Sequence, residues 1–236
     1  MTAFTRTLLV ALLSTAASAC GASEDSSPAN TTPTVRLDLT IQDLVADEKN
    51  DAVADVKVCV DQRPEIPCVV TDAAGKYALA VPSGEDLVLS YEKADFFPKL
   101  RLMTAEAAAK PHLIWYFQRK TWYASGASAF QGTMDFSKAI LTPQTSGEGV
   151  KFELSPMTGV GPMYGKDVSF LFDTVPTETS NLGVGAFVNV EPGAYTITFK
   201  TSKTCAPPAA WKSDVANSVR VTARAGWLTY VFMGCT

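Results

Sequence analysis

The sequence predicts an all-β protein in which two β-sandwiches stand in tandem, joined by a partly helical connector. Three observations carry that expectation. First, two segments about 110 residues apart match: Gly75-Lys76-Tyr77-Ala78-Leu79-Ala80-Val81-Pro82-Ser83-Gly84 followed by Leu87–Tyr91, and Gly185-Ala186-Phe187-Val188-Asn189-Val190-Glu191-Pro192-Gly193 followed by Tyr195–Phe199. Each has a glycine two residues before an aromatic, an alternating run, a Pro/Gly turn and a returning run. That pattern reads as a β-hairpin with one buried face, after a local shift near Asn189 in the second copy. Second, short apolar runs bounded by turn residues recur through both halves at the spacing of a sandwich. Third, helical patterns are few. Hydrophobic residues make up 47% of the chain and charged residues 19%, enough apolar material for real cores.

In chain order, residues 1–19 have the form of an export signal. A short start with one positive charge precedes the apolar run Leu8–Leu13, and Ala17-Ser18-Ala19 leads into Cys20. The apolar run is far short of the ~20 residues a membrane-spanning helix needs. Ala16-Ala17-Ser18-Ala19-Cys20 resembles the lipobox of bacterial lipoproteins, with Ala17 where that family usually carries Leu. The resemblance implies that Cys20 is the lipid attachment site, and that the exported protein meets a membrane through an N-terminal lipid anchor (palmitate among its acyl chains). Gly21 stands where lipoproteins retained in the inner membrane often carry Asp, which implies the outer membrane and the bacterial cell surface. The same Ala17-Ser18-Ala19 also satisfies an ordinary A-x-A cleavage site, so a secreted or periplasmic soluble form stays open. Residues 20–34, rich in Ser, Thr, Asn, Pro and acids, are expected to be a flexible tether.

Four cysteines remain after Cys20: Cys59, Cys68, Cys205 and Cys235. An even number in an exported chain reads as two disulfides. Of the three possible pairings, the two-halved organisation favours Cys59 with Cys68 and Cys205 with Cys235. Closing the short first loop is worth roughly 2.5–3 kcal/mol in the loop-entropy model, and the longer second loop somewhat more.

Residues 35–104 form the first expected sandwich, with strand-like runs at 35–45, 53–60, 69–71, 76–81, 87–91 and 98–103. Residues 132–236 form the second, with runs at 138–141, 150–154, 168–172, 186–190, 195–201, 219–223 and 228–233. In the first half, Asp55-Val56-Lys57-Val58-Cys59-Val60, Val70-Thr71-Asp72-Ala73-Ala74-Gly75-Lys76-Tyr77 and Val81-Pro82-Ser83-Gly84 resemble carboxypeptidase regulatory-like domains. That family implies a seven-stranded transthyretin (prealbumin)-type sandwich and no peptidase activity. The second half resembles a more divergent copy, with Ser180-Asn181-Leu182-Gly183 in place of the usual T-D opening.

Between them, residues 105–131 are expected to be mainly helical. Thr104 can cap Ala105–Lys110, and Pro111 can open a second helix running to Ala124, with a strand over 112–118 as the competing reading. Trp115, Phe117 and Trp122 are expected to pack where the two sandwiches meet.

The chemistry-bearing residues are sparse. His112 is the only histidine, and no G-x-S-x-G elbow is present. Transthyretin-fold hydrolases of hydroxyisourate use several histidines and a tail motif that this chain lacks. No C-x-x-C spacing suggests a metal, and no cofactor is expected. Asp72 and Gly75 fit a plain turn better than a calcium loop, which needs six to eight oxygens. Lys57 or Lys151 with an acid such as Glu191 has the residue types of the isopeptide bonds found in related pilus-type sandwiches, but the last-strand Asn characteristic of those domains is missing. With a net charge of −4 and no basic run, nucleic acid is not an expected partner. Trp115, Trp122 and Trp211 are the candidate ligand-binding aromatics. The expected function is therefore non-catalytic: adhesion, scaffolding or another interaction of a lipid-anchored envelope protein with an envelope protein or polysaccharide. A surface-displayed carbohydrate-binding module is the alternative.

Overall fold

Apolar side chains at every second residue give each strand one face to bury, and the two halves satisfy that demand by the same arrangement of layers. The computed structural model describes residues 33–43, 51–105, 114–121, 134–165, 172–173 and 177–236. The first half comprises β1 (Thr34–Asp43), β2 (Lys57–Val60), β3 (Val69–Val70), β4 (Lys76–Pro82), β5 (Asp86–Glu92), β6 (Lys99–Thr104) and β7 (Ile114–Phe117). Strands β4-β1-β7 make one layer and β6-β5-β2-β3 face them. Leu37, Leu39 and Ile41 of β1 meet Leu87, Leu89 and Tyr91 of β5 in the core between.

The second half comprises β8 (Ala139–Thr145), β9 (Lys151–Ser155), β10 (Val160–Gly165), β11 (Phe172–Asp173), β12 (Gly185–Val190), β13 (Gly193–Lys200), β14 (Cys205–Ala206), β15 (Ser218–Ala223) and β16 (Leu228–Cys235). A 3-10 turn at Ala209–Trp211 interrupts the strands. Strands β11-β10-β12-β8-β16 form one layer and β15-β13-β9 the other. Phe152, Phe187, Ile197, Phe199 and Val231 fill the core.

The halves match strand for strand, β1 with β8, β2 with β9, β4 with β12, β5 with β13, β6 with β15 and β7 with β16. In each, the last strand runs parallel to the first, β7 beside β1 and β16 beside β8. A threonine turn fixes the match. Thr71 Oγ1 accepts from Val56 N (2.9 Å) and donates to Val53 O (2.8 Å); Thr179 Oγ1 accepts from Val150 N (3.0 Å) and donates to Gly147 O (3.2 Å). Asp72 Oδ1 then accepts from Ala74 N at 2.8 Å, and Ser180 Oγ from Leu182 N at 3.4 Å. Each turn ends on a glycine with positive φ, Gly75 at 70° and Gly183 at 64°. A Cβ there would meet the carbonyl of Ile41 at 2.4 Å or of Thr145 at 2.0 Å. The structural equivalent of Gly75 is thus Gly183, two residues before the Gly185 that sequence matching selects. Part of the offset is taken up in β12, where the register against β8 shifts between Phe187 and Val190 and Asn189 has φ 53°.

The halves share a sheet. β6 lies parallel to β16, pairing Lys99, Leu100, Arg101 and Leu102 with Leu228, Thr229, Tyr230 and Val231, so the layers fuse into one long sheet, β11-β10-β12-β8-β16-β6-β5-β2-β3, with β14 attached to β16. Thr32–Thr236 accordingly forms one compact unit. Adjacent residues of β6 reveal the geometry: Met103 belongs to the first core and Leu102 to the second. Neighbouring side chains on a strand point to opposite faces. The outer layers β4-β1-β7 and β15-β13-β9 therefore cover opposite faces of the common sheet.

Three expectations need correction. The matched segments are not hairpins, since β4 pairs with β1 while β5 pairs with β2 and β6, and β12 and β13 likewise lie in opposite layers. Each is an arch whose strands face one another across a core. The helix expected through 111–124 is strand over Ile114–Phe117, completing the first sandwich beside β1; Phe117 is buried in the core and stacks on Phe96 at 4.8 Å. Residues 106–113 and 122–133 lie outside the described residues. Third, β10 and β14 were not anticipated. Both disulfides take the pairing favoured from sequence: Cys59–Cys68 pinches the loop between β2 and β3, and Cys205–Cys235 links facing residues of β14 and β16.

Candidate functional site

Because β15-β13-β9 covers only the second half's part of the long sheet, it stops short of β5 and β6. A cleft of about 560 Å³ opens where it stops. Its floor is apolar, made by Val88 of β5 and Leu100 and Leu102 of β6 on the face turned away from their own sandwich, with Thr229 of β16 beside them. Val221, Thr222 and Arg220 of β15 line one wall, and Trp211 closes in from the 3-10 turn. The size falls within the roughly 300–1,000 Å³ usual for binding clefts.

Two polar contacts tie the halves together beside the cleft. Arg224 Nη2 donates to Asp61 Oδ2 at 2.7 Å while its guanidinium lies 4.8 Å over the Trp227 ring. Ala210 N donates to Asp86 Oδ2 at 2.7 Å, holding the Trp211 turn against β5. Arg220 pairs with Asp214 at 3.1 Å. The Thr229 hydroxyl is only 1% exposed and has no hydrogen-bond partner among the described residues. A buried unpaired hydroxyl costs on the order of 1–3 kcal/mol.

On the opposite face of the same joint lies a second polar group. Lys99 Nζ donates to Tyr116 O at 2.6 Å, and the Lys99 and Arg101 cations sit 5.3 and 4.8 Å from the Tyr230 ring centre. Burial, with the neighbouring Arg101 charge adding to it, pushes the Lys99 ammonium down to about 7. Burial raises the Tyr230 phenol to about 12, and its hydroxyl donates to Gln144 Oε1. Burial also raises Tyr77 and Tyr91, whose hydroxyls lie 3.1 Å apart. This cluster is closed, and its cations are satisfied by carbonyl and ring.

Of the residues singled out from sequence, Trp211 lines the cleft, half-buried against the second core rather than freely exposed. The backbone of Trp115 pairs with Ile41 on β1; its side chain, like Trp122, Cys20 and His112, lies outside the described residues. Lys57 and Lys151 are exposed on β2 and β9, whereas Glu191 takes its ion pair from Lys138 at 2.6 Å. Asp72 spends its Oδ1 on Ala74 N and Lys76 N of its own turn. Among the described residues no group of three or more His, Cys, Asp or Glu is placed to hold a metal ion, and no helix is long and apolar enough to cross a membrane. Sequence reasoning missed the cleft because its residues come from eight separated stretches, and only a joint between β6 and β16 brings them together.

No protein-family model matches the chain, and no curated protein matches it. Among solved structures, it is similar to the shaft pilin SpaA of Lactobacillus rhamnosus GG, with 12% identity over 86% of this chain and 98% of that one and a TM-score of 0.25. The TIE protein of Bacillus anthracis gives 12% identity over 86% of this chain and 34% of that one, with a TM-score of 0.28. The minor pilin GBS52 of Streptococcus agalactiae gives 11%, 85% and 95%, with a TM-score of 0.27. At such scores these likenesses describe company for a β-rich fold and carry no functional argument.

Proposed function

We propose that this chain is an exported, non-catalytic envelope protein whose two fused sandwiches form a stiff module for adhesion or scaffolding, held to the outer membrane by a lipid on Cys20. The observation that carries this reading is the cleft at the joint. It combines an apolar floor with an arginine-lined wall, and none of its hydroxyls contacts a histidine or carboxylate base among the described residues. Such a surface binds; it has no nucleophile activated for attack. The two disulfides support an oxidising address. Mass spectrometry of the protein recovered from membranes tests the anchor. The mature chain is expected to begin at Cys20, to carry diacylglycerol and amide-linked acyl mass, and to move to the soluble fraction in Cys20→Ala. A first residue upstream of Cys20 overturns it.

A second reading rests on Trp211. An indole at the wall of a cleft offers a stacking face to a sugar ring, which favours a carbohydrate-binding module. Quenching of tryptophan fluorescence by soluble polysaccharides, lost in Trp211→Ala, is the outcome that reading requires.

A further inference from the structure

We propose that the edge of β15 at Arg220–Ala223 is an acceptor for an extended segment of a partner polypeptide, which adds to it as a parallel strand and roofs the apolar floor of the cleft. This rests on the binding reading above and names the chemistry of the partner.

The argument begins with the twin edge. β15 is the counterpart of β6: Val221 faces Tyr195 as Met103 faces Leu87, and Val219 faces Ile197 as Arg101 faces Leu89. In the first half, the outer edge of β6 is filled over four residues by the parallel strand Leu228–Val231. In the second half, the outer edge of β15 is filled only at its start, where Ser213 N donates to Ser218 O at 3.3 Å and Lys212 bridges Val219. The chain then turns away, Trp211 N going to Pro208 O at 3.1 Å.

The backbone polarity of what remains follows from the ladder. Phe199 N donates to the directly opposite Asn217 O at 2.9 Å, so residues 217, 219, 221 and 223 direct their backbone groups at β13. By the alternation of antiparallel pairing, Arg220 and Thr222 direct their N–H and C=O the other way; the Lys212–Val219 bridge sets the Arg220 N–H against the Trp211 carbonyl, while the Arg220 C=O and both Thr222 groups meet no backbone partner among the described residues.

Position and floor agree with the edge. A strand added to β15 would widen the layer β9-β13-β15 over the half-buried Val88, beside the buried Leu100 and Leu102. Its inward side chains would meet Val88 at the cleft floor. An occupant with backbone donors and acceptors at strand spacing and an apolar residue at alternate positions satisfies both; a sugar satisfies the floor but not the paired backbone groups. Edge addition of this kind takes affinity from the main chain and selectivity from alternate side chains. No proline or bulge interrupts 220–223, and its one charged side chain, Arg220, is drawn into an ion pair with Asp214.

The test uses the full-length protein and a labelled peptide of the sequence that fills the twin edge, Leu228–Met233, with two lysines at each end for solubility. A scrambled peptide of the same composition is the control. Saturable binding in fluorescence anisotropy is expected, with slowed amide exchange in 220–223 and no slowing with the scrambled peptide. Thr222→Pro removes one outward N–H without touching the β13 ladder, a substitution edge strands tolerate. It is expected to weaken binding by about tenfold or more, with an unchanged circular dichroism spectrum. Val88→Arg, which charges the floor, is expected to do the same and guards against misfolding of the proline variant. Absence of protection at 220–223 up to millimolar peptide, or equal binding by Thr222→Pro, overturns the proposal. Polysaccharide quenching with no peptide protection overturns it in favour of the sugar. Failure of the Cys20 assay leaves these outcomes unmoved, so the two readings fail separately.

Discussion

Lys99 and Arg101 stand at core-facing positions of β6 that correspond to Asn217, just before β15, and Val219 within it. The run Lys99-Leu100-Arg101-Leu102 reads as leucines inward and cations outward, and the reading misleads because both faces of this strand are covered. Tyrosine rings and the Tyr116 carbonyl take the place of water. The Lys99 ammonium is lowered to about 7 against about 10.4 in an unfolded chain. Below pH 7 both states hold the proton and the folded state bears the full burial penalty. Between 7 and about 10.4 the unfolded chain holds a proton that the folded protein has released, so stability rises with pH, by up to about 1.4 kcal/mol per unit. Urea unfolding at pH 6, 8 and 9.5 is expected to show this rise, and Lys99→Met to abolish it; a variant with the same slope as the parent refutes the assignment. The turn glycines give a second prediction at this scale. Gly183→Ala forces a Cβ onto the Thr145 carbonyl at positive φ and is expected to cost about 2–4 kcal/mol, whereas Gly84, also at positive φ but with open space around it, should cost about 1 kcal/mol as Ala. Equal losses in chemical denaturation would mean that backbone strain alone matters.

At the scale of elements, alternation located β4, β5, β12 and β13 closely in the sequence, yet it misjudged how they meet. A hairpin and an arch each bury one face per strand, so period two is the same in both; only the choice of partner strand differs, and that choice is made by distant residues. Ile114–Phe117 lacked alternation because the run mixes aromatic and apolar residues without polar ones, which periodicity alone cannot assign. The disulfides were legible because each closes within one half. They differ in what they hold. Cys59–Cys68 spans 9 residues of a surface loop, and Cys205–Cys235 spans 30 and fastens β14 to the last strand. Loop entropy makes the second worth about 3.5 kcal/mol and the first about 2.5. Replacing each pair by serines in turn should therefore lower the urea midpoint more for Cys205/Cys235. The reverse order would place the greater restraint at the edge loop.

At the scale of the whole molecule, the doubling was legible and the fusion was not. A repeat announces two similar units, but four residue pairs between β6 and β16 decide whether those units are beads or one body, and neither strand carries a mark of its partner in sequence. Beads joined by a small polar contact move and melt independently. Here the joint lies inside a sheet, and its side chains feed both cores: Leu102 from β6 packs with Val231 and Leu141 of the second half, while Met103 next to it packs in the first. Loss of either half would expose a paired strand edge and an apolar patch together, which opposes partial unfolding. Calorimetry is accordingly expected to show one transition for residues 33–236, with calorimetric and van't Hoff enthalpies equal. Leu102→Ala adds a sharper test, because a truncation on a first-half strand should cost about 2–5 kcal/mol and raise amide exchange at Leu141 and Val231 in the second. Two resolved melting steps, with exchange changed only in the first half, would mean that the sheet is continuous in shape but not in energy.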